Sequence, residues 1–339
     1  MLNETINHLV QHTDLSFDET KAAHDELLHG GVDASLIASY LTAMAAKGAT
    51  ATEIAGAADS MRQNALPFAP DEPVLEVVGT GGDHANTFNI STTSMFVIAA
   101  AGVPIAKHGN RAASSKSGAA DVLEALGYNI NASAQESEAL LHHYNACFLF
   151  AQKYHASMRF VGPTRKLLGF PTIFNLIGPL ANPAKPTYQL LGVYREDLMA
   201  PMADALIQLG VKRGMVVHGE DGLDEITATG KTDALLIDNG QITKLTIDPA
   251  EYGIAYADKA DLVGGTPADN AQITRDVLAG VTGPKADAVV LNAGVALFIA
   301  GKTATIKAGI DLVRETIASG KATQELNELV AASTKAVGA

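Results

Sequence analysis

The chain changes its pattern at three prolines, Pro67, Pro70 and Pro73, and this change constrains its architecture more than any other feature. Before the prolines, apolar residues recur three and four positions apart, which is the spacing of amphipathic helices. After them, short β-rich runs alternate with helical stretches, which is typical of an α/β fold with a mainly parallel sheet. The sequence therefore predicts a small helical domain over residues 1–70 and a larger α/β domain over residues 74–339.

The helical domain is predicted to contain four short helices. Ser16 with Glu19, and Thr50 with Glu53, fit capping boxes, in which a hydroxyl and a carboxylate satisfy each other's backbone amides. Helix and loop signals return later in the chain, and several prolines lie among them. We expect residues from about 160 to 186 to rejoin the helical domain.

The α/β part is predicted to contain several short strands and one hairpin. Asn239-Gly240 is a two-residue hairpin signal between two apolar runs, residues 233–238 and 241–248. The other predicted strands are residues 74–78, 103–106, 146–151, 189–194 and 215–218.

Charge and apolar content exclude several function classes. The chain has 339 residues and a net charge of −13, which argues against broad binding to nucleic acid or anionic membranes. We see no apolar run long enough to span a bilayer and no basic-then-apolar secretory signal, so we expect a cytoplasmic protein. The single cysteine, Cys147, lies in an apolar run and is expected to be a buried core residue.

A glycine-rich turn follows the first predicted strand. It reads Gly79-Thr80-Gly81-Gly82-Asp83, and Asn89-Ile90-Ser91-Thr92 then opens an apolar helix. Glycines let backbone amides approach an anion, and a helix N-terminus adds free N–H groups, so the pattern favours a phosphate or pyrophosphate. The alternative is a tight turn followed by an ordinary helix cap at Asn89 or Ser91.

Two further polar loops follow predicted strands. Residues 107–121 combine cations, serines and a histidine, and residues 219–227 carry the adjacent carboxylates Asp224 and Glu225. Because ligands of open α/β sheets collect outside the carboxyl ends of the strands, we expect these loops to meet. Carboxylates beside a pyrophosphate are suitable ligands for Mg²⁺. The alternatives are a solvated charge run and a solvated acidic loop.

The strings GTGGD, TFNIST, KHGNRAASSKSG, ADVLEALG, FNLIGPLANP and GLDE, in this order, resemble those of the anthranilate phosphoribosyltransferase family. The resemblance runs along nearly the whole chain. It implies a fold like that of nucleoside phosphorylases and transfer of the phosphoribosyl group of phosphoribosyl pyrophosphate (PRPP) to anthranilate in tryptophan biosynthesis. It also implies Mg²⁺ as cofactor and a homodimer formed through the helical domain. The net charge and the lack of a long apolar run lead us to expect no nucleic acid or membrane partner.

The resemblance also assigns roles to individual residues. It places anthranilate beside Gly79, Asn110 and Arg165, with His108 nearby, and makes Ser91, Asp224 and Glu225 metal ligands. Lys107 would stabilise the leaving group electrostatically, and no residue is assigned general acid or base work. The implied PRPP contacts are Gly79, Gly82, Asp83, Thr87, Asn89, Ile90, Ser91, Thr92, Lys107, His108, Gly109, Asn110, Arg111, Ala112, Ala113, Ser114, Ser115 and Ala119.

Some positions depart from the family's usual pattern. His84 stands where a glycine is expected, Ala112-Ala113 replace a more usual Ser-Val pair, and Gln152-Lys153 replace a pair that contains proline. Arg165 has an alternative role, pairing with an acidic residue at the domain junction. Two alternative functions also remain: a pyrimidine-nucleoside phosphorylase, which would need no paired metal carboxylates, and an inactive relative that binds nucleic acid.

Overall fold

The N-terminal region folds into four helices, as predicted. The structure is a computed structural model, and it describes residues 1–112 and 115–335. The helices are α1 (Leu2–Val10), α2 (Phe17–His29), α3 (Ala34–Lys47) and α4 (Ala51–Gln63). Both predicted capping boxes are present, at the N-termini of α2 and α4, so local side-chain chemistry fixes where these helices begin.

The rest of the chain alternates strands with helices. The strands are β1 (Leu75–Gly79), β2 (Ile105–Gly109), β3 (Ala146–Phe150), β4 (Tyr188–Gly192), β5 (Arg213–Gly219), β6 (Thr232–Asp238) and β7 (Gln241–Ile247). The helices are α5 (Ile90–Ala100), α6 (Ala119–Leu126), α7 (Ala134–Tyr144), α8 (Ala151–Tyr154), α9 (Gly162–Leu168), α10 (Ile173–Ile177), α11 (Met199–Gln208), α12 (Pro267–Leu278), α13 (Pro284–Ile299), α14 (Ile306–Ala318) and α15 (Lys321–Lys335). Short 3₁₀ helices occur at Ala156–Phe160, Gly178–Leu180, Glu196–Leu198, Pro249–Tyr252 and Lys259–Leu262.

The strands form one sheet in the order β3-β2-β1-β4-β5-β6-β7. The five strands from β3 to β5 are parallel, and β6 and β7 add an antiparallel hairpin, so the prediction of a mainly parallel sheet is confirmed. Asn239 and Gly240 join the hairpin with φ values of 47° and 84°, the left-handed backbone that this turn requires. The carboxyl ends of the parallel strands therefore meet along one edge.

The predicted end of β2 at residue 106 is wrong. The strand continues through Lys107 and His108 to Gly109, and both polar side chains are buried. Polar residues ordinarily indicate a loop. Here Lys107 and His108 instead belong to the carboxyl end of β2, next to the polar loops, and their side chains are buried. Cys147 lies buried in β3, as expected, and burial raises the pKa of its thiol.

The apolar core has two parts, one on each face of the sheet. On one face, α5, α13 and α15 belong to a core that includes the β1–β3 side chains. On the other face, α1–α4 share a core with α11 and with Val161, Ile173 and Phe174. Side chains of β4, β5 and β6 enter this second core, so the helical bundle packs directly against the sheet. No helix in the described ranges is long and apolar enough to cross a membrane.

Candidate active site

Three loops meet at the carboxyl edge of the sheet, after β1, β2 and β5. The contact between the first and third is the closest: the backbone N–H of Gly81 donates to Asp224 Oδ2 over 2.6 Å. A Cβ at Gly79 would lie 2.3 Å from that oxygen, and a Cβ at Gly192 would lie 1.7 Å from the Asp224 carbonyl. Only glycine fits at these two positions, because the third loop crosses directly over the strand ends.

The third loop is not the fully solvated acidic loop of the alternative interpretation, because one of its paired acids is buried and the other is half-buried. Asp224 is 8% exposed. Burial, with repulsion from Glu225 and Asp83, raises the pKa of Asp224 well above its usual value. Burial also raises the pKa of Glu225 to about 7, although Lys107 and hydrogen bonds from Ser91 act in the opposite direction. Ionisation of these carboxylates is therefore unfavourable in free energy, and a bound cation would stabilise their charged forms.

The carboxylates do not by themselves form a closed metal site. Within residues 1–112 and 115–335, no three His, Cys, Asp or Glu side chains converge closely enough to enclose an ion. Mg²⁺ typically takes one or two protein carboxylates and completes its coordination shell with substrate phosphates and water. Asp224 and Glu225 are therefore suited to a cation that arrives with a phosphorylated ligand.

Lys107 in β2 contacts both β1 and the first turn of α5. It is 2% exposed, and its Nζ donates to the Val77 carbonyl over 2.7 Å and to Ser91 Oγ over 3.1 Å. Burial lowers the pKa of Lys107, whereas Glu225 and Glu76 act to raise it. The ammonium therefore lies against the first turn of α5, where a helix N-terminus and a buried cation favour an anion together.

Asn89 occupies the N-cap position of α5, but its side chain does not form the capping hydrogen bond of the alternative interpretation. Its Nδ2 donates to the Ser117 carbonyl, and its Oδ1 accepts from Asn270 Nδ2 over 2.9 Å. The side chain thus ties the first loop to the second and to α12. Asn270 is buried in this contact, and no motif in the sequence marked it. The neighbours Ile90 and Thr92 are buried in α5, while Thr87 forms a bridge with Val263.

The second loop is held mainly by its own helix, α6. Asp121 Oδ2 accepts the backbone N–H groups of Ala112 and Gly118 over 2.8 and 2.9 Å. Arg111 forms ion pairs with Asp121 and with Glu124. Asn110 and Ser115 are exposed, and Ala119 begins α6. Ala113 and Ser114, which the family resemblance also assigns to PRPP, lie outside the described residues.

Two buried histidines lie beside the end of β2. The rings of His108 and His155 are 5.0 Å apart in an edge-to-face arrangement. Burial lowers the pKa of His155 to about 4 and that of His108 well below its usual value, so both stay neutral in the folded protein. The His108 backbone N–H donates to Glu76 Oε1 over 3.2 Å. His155 and Glu76 were missed in the sequence, because each stands alone between apolar residues.

Arg165 lies in α9, and its guanidinium is 5.0 Å from the ring centre of Phe174 in α10. Burial lowers its pKa. In the described part of the chain no carboxylate forms an ion pair with it, so the alternative role at the domain junction has no partner there. A planar cation on an aromatic platform retains its donors for a carboxylate or phosphate.

The departures from the family's pattern have visible structural consequences. His84 adopts φ 57°, a left-handed backbone that explains why glycine is usual there. It lines a cavity of about 340 Å³ beside the first loop, together with Asp83 and Thr87. Lys153 Nζ donates to the carbonyls of residues 131 and 132, and Gln152 Nε2 donates to Asn110 Oδ1 over 3.1 Å.

Comparison with known proteins identifies the family. A model described as "Glycosyl transferase family, helical bundle domain" matches residues 3–65, and one described as "Glycosyl transferase family, a/b domain" matches residues 71–323. An anthranilate phosphoribosyltransferase of Lacticaseibacillus casei is 56% identical over 99% of this chain and 98% of its own length. The chain belongs to the anthranilate phosphoribosyltransferase family. A relative of the same name from Lactiplantibacillus plantarum is 50% identical over 98% of both chains.

Solved structures of the family agree with the fold. The anthranilate phosphoribosyltransferase of Thermus thermophilus superimposes with a TM-score of 0.92 at 41% identity and covers 97% of this chain and 99% of its own. The Saccharomyces cerevisiae enzyme, solved in complex with PRPP and Mg, has a TM-score of 0.88 at 28% identity and covers 98% of both chains. The predicted fold, a helical domain with a mainly parallel α/β domain, is therefore the fold of this family. The comparisons favour a transferase over a pyrimidine-nucleoside phosphorylase and over an inactive relative that binds nucleic acid.

Proposed function

We propose that this chain transfers the phosphoribosyl group of PRPP to the amine of anthranilate, giving N-(5-phosphoribosyl)anthranilate and pyrophosphate in tryptophan biosynthesis. The observation that carries the proposal is the cluster of Asp224, Glu225, Lys107 and Ser91 at the carboxyl edge of the sheet. It combines one buried cation, Lys107, with two adjacent carboxylates whose pKa values are raised, which suits a phosphorylated ligand that arrives with Mg²⁺.

The three loops form the donor half of the site, which we assign to PRPP. We assign Mg²⁺ to Asp224, Glu225 and Ser91, where the metal would neutralise charge on the departing pyrophosphate. Lys107 and the N-terminus of α5 favour the same negative charge. The remaining donor contacts are those that the resemblance implies: Gly79, Gly82, Asp83, Thr87, Asn89, Ile90, Thr92, His108–Ala112, Ala113, Ser114, Ser115 and Ala119. Of these, Gly79, His108 and Asn110 are shared with the acceptor half.

We assign a second group of residues, the acceptor half, to anthranilate. It consists of Asn110, His108, His155, Arg165 and Phe174. The guanidinium of Arg165 can donate two parallel N–H groups to a carboxylate. The neutral histidines present a weakly polar wall and do not compete for the anion. Gly79, at the border between the halves, allows a ligand to approach the end of β1 closely.

The chemistry needs little acid–base assistance from the chain. The bond between the anomeric carbon and the pyrophosphate oxygen breaks, and a bond from the anthranilate nitrogen to that carbon forms. An aromatic amine is neutral near pH 7, so its lone pair is available without a base, and the proton that it loses can pass to water. Alignment of the two substrates and stabilisation of pyrophosphate therefore supply most of the rate.

We also propose a homodimer through the helical domain and a cytoplasmic location. Leu167 in α9 is 85% exposed, and Val10 at the end of α1 and Phe170 after α9 are also exposed apolar side chains, which a partner surface would cover. A multiply charged substrate such as PRPP does not cross a bilayer unaided, which favours the cytoplasm. The dimer is tested by light scattering after size-exclusion chromatography, which would return the monomer mass if the proposal is wrong.

The activity is tested by the loss of anthranilate fluorescence with PRPP and Mg²⁺. We expect turnover that requires all three components, and no release of ribose 1-phosphate when pyrimidine nucleosides are supplied with inorganic phosphate. PRPP with Mg²⁺ should raise the melting temperature more than ribose 5-phosphate does, because a ligand that binds only the folded state stabilises it. Equal shifts would contradict a pyrophosphate site, and phosphorolysis without Mg²⁺ would identify a phosphorylase.

A further inference from the structure

The turn that follows β3 approaches the end of β2. In the parallel register, Gly109 is aligned with Phe150, so the residues that follow them, Asn110 and the start of α8, lie at the same edge. Gln152 in α8 donates from Nε2 to Asn110 Oδ1 over 3.1 Å. Its neighbour Lys153 anchors the turn by donating to two backbone carbonyls, each over 2.8 Å.

This contact fixes which end of the Asn110 amide is available. Its Oδ1 accepts a second hydrogen bond, from the Arg111 backbone N–H over 2.8 Å, so both lone pairs of the oxygen are engaged. The Asn110 backbone carbonyl accepts from the Ala120 N–H, which restrains the main chain as well. In residues 1–112 and 115–335 the Asn110 Nδ2 group meets no acceptor, so its two hydrogens remain for a ligand.

We propose that Gln152 is a positioning residue that orients the Asn110 amide so that it donates to the carboxylate of the acceptor rather than accepting from its amine. The inference rests on the proposed function, in which Asn110 belongs to the acceptor half. An amide that presents its N–H groups complements an anion, whereas a flipped amide presents its oxygen and repels one. Gln152 thus favours an acceptor that carries a carboxylate beside its amine.

The test reverses the donor at residue 152. Gln152→Glu keeps the shape but replaces the donor by an acceptor, which draws the Asn110 N–H groups away from the ligand. We expect the anthranilate KM to rise about tenfold, and about threefold in Gln152→Leu, which only removes the donor. The PRPP KM and the melting temperature should stay unchanged. Gln241→Glu, an exposed change of the same type on β7, is the control and should match the wild type.

A double-mutant cycle with Asn110→Ala separates the possible outcomes. The inference is supported if Asn110→Ala raises the anthranilate KM and Gln152→Glu then adds nothing. If Asn110→Ala raises that KM but Gln152→Glu matches the wild type, the inference about Gln152 is overturned while the assignment of Asn110 to the acceptor half stands. The inference is also overturned if Gln152→Glu acts equally in both backgrounds, since the new charge would then repel anthranilate directly. If Asn110→Ala changes nothing, the assignment of Asn110 to the acceptor half fails, and the inference fails with it.

Discussion

The donor and acceptor halves of the site differ in their electrostatics: one contains adjacent carboxylates and the other contains neutral histidines. The donor half holds the buried Asp224 beside the half-buried Glu225, and desolvation together with repulsion from neighbouring carboxylates raises both pKa values. The acceptor half buries His108 and His155, whose pKa values fall because burial favours the neutral ring. One half therefore holds charge that a cation must compensate, while the other avoids charge except at Arg165. From this contrast we expect the donor half to be completed by its ligand and the acceptor half to be largely preformed.

The largest expected effect comes from neutralising the donor half. Asp224→Asn with Glu225→Gln keeps an oxygen for the Gly81 N–H but removes both charges. We expect turnover to fall by about a hundredfold or more, because a bound metal contributes several kcal/mol of charge stabilisation. Without Mg²⁺, the same variant should melt at a higher temperature than the wild type, because two repelling buried groups are gone.

The control for this variant is Glu220→Gln, an exposed acid on the same loop. It should leave the dependence of turnover on Mg²⁺ unchanged. Wild-type turnover of the double variant at every Mg²⁺ concentration would remove both carboxylates from the metal site.

Arg165→Ala tests whether the acceptor half depends on its one charge. Charge-assisted hydrogen bonds contribute roughly 1.5–3 kcal/mol each, so the anthranilate KM should rise about ten- to a hundredfold while the PRPP KM changes little. Arg165→Lys should recover only part of the loss, because an ammonium lacks the planar pair of donors. Lys166→Ala, on the same helix and exposed, is the matched control. Steady-state kinetics with each substrate varied in turn would show an unchanged anthranilate KM if Arg165 lies outside the site.

The two halves should also give stability opposite slopes with pH. Glu225, whose pKa is raised in the folded state, binds more protons there than in the unfolded chain. The free energy of unfolding therefore decreases as the pH rises from about 4.5 to about 7. A histidine whose pKa is lowered to about 4 does the reverse, and stability is lost as the pH falls below about 6.5. Each effect approaches about 3 kcal/mol across its full pH range, because one pKa unit corresponds to about 1.4 kcal/mol.

Urea unfolding without Mg²⁺ between about pH 5 and pH 8 measures both slopes. The two pH ranges overlap, so the two effects partly cancel in the wild type. His155→Gln should shift the slope toward a loss of stability as the pH rises, and Asp224→Asn with Glu225→Gln should shift it toward a loss as the pH falls. Unchanged slopes in both variants would contradict the electrostatic contrast between the halves.

The contrast also explains what the sequence could predict. The loops of the donor half are local: Gly79–Asp83 and Asp224-Glu225 are contiguous strings whose chemistry is visible in a few residues. Asn270 completes that half from a distant helix, and nothing in its neighbourhood marks it. The acceptor half is assembled across the chain, from the end of β2 and from segments beyond β3. A lone buried residue such as His155 is indistinguishable in sequence from a core residue, because only tertiary contacts bring it to His108.

The smallest expected effect concerns Arg111, which the resemblance assigns to PRPP. In this structure its guanidinium is already paired with Asp121 and Glu124 and lies 5.7 Å from the ring centre of Phe150. Exposed pairs of this kind contribute about 0–1 kcal/mol, so Arg111→Ala should lower the melting temperature only slightly.

If Arg111 keeps these partners when PRPP binds, the PRPP KM should rise no more than about threefold in Arg111→Ala, through a loosened second loop. Glu124→Gln, which weakens the same pairing without touching the arginine, should then have a similar small effect. An increase of tens of fold in Arg111→Ala, with Glu124→Gln near the wild type, would show instead that the guanidinium leaves its carboxylates for the phosphates. The donor half would then be completed by a side chain that moves as well as by a metal, which makes its contrast with the preformed acceptor half sharper.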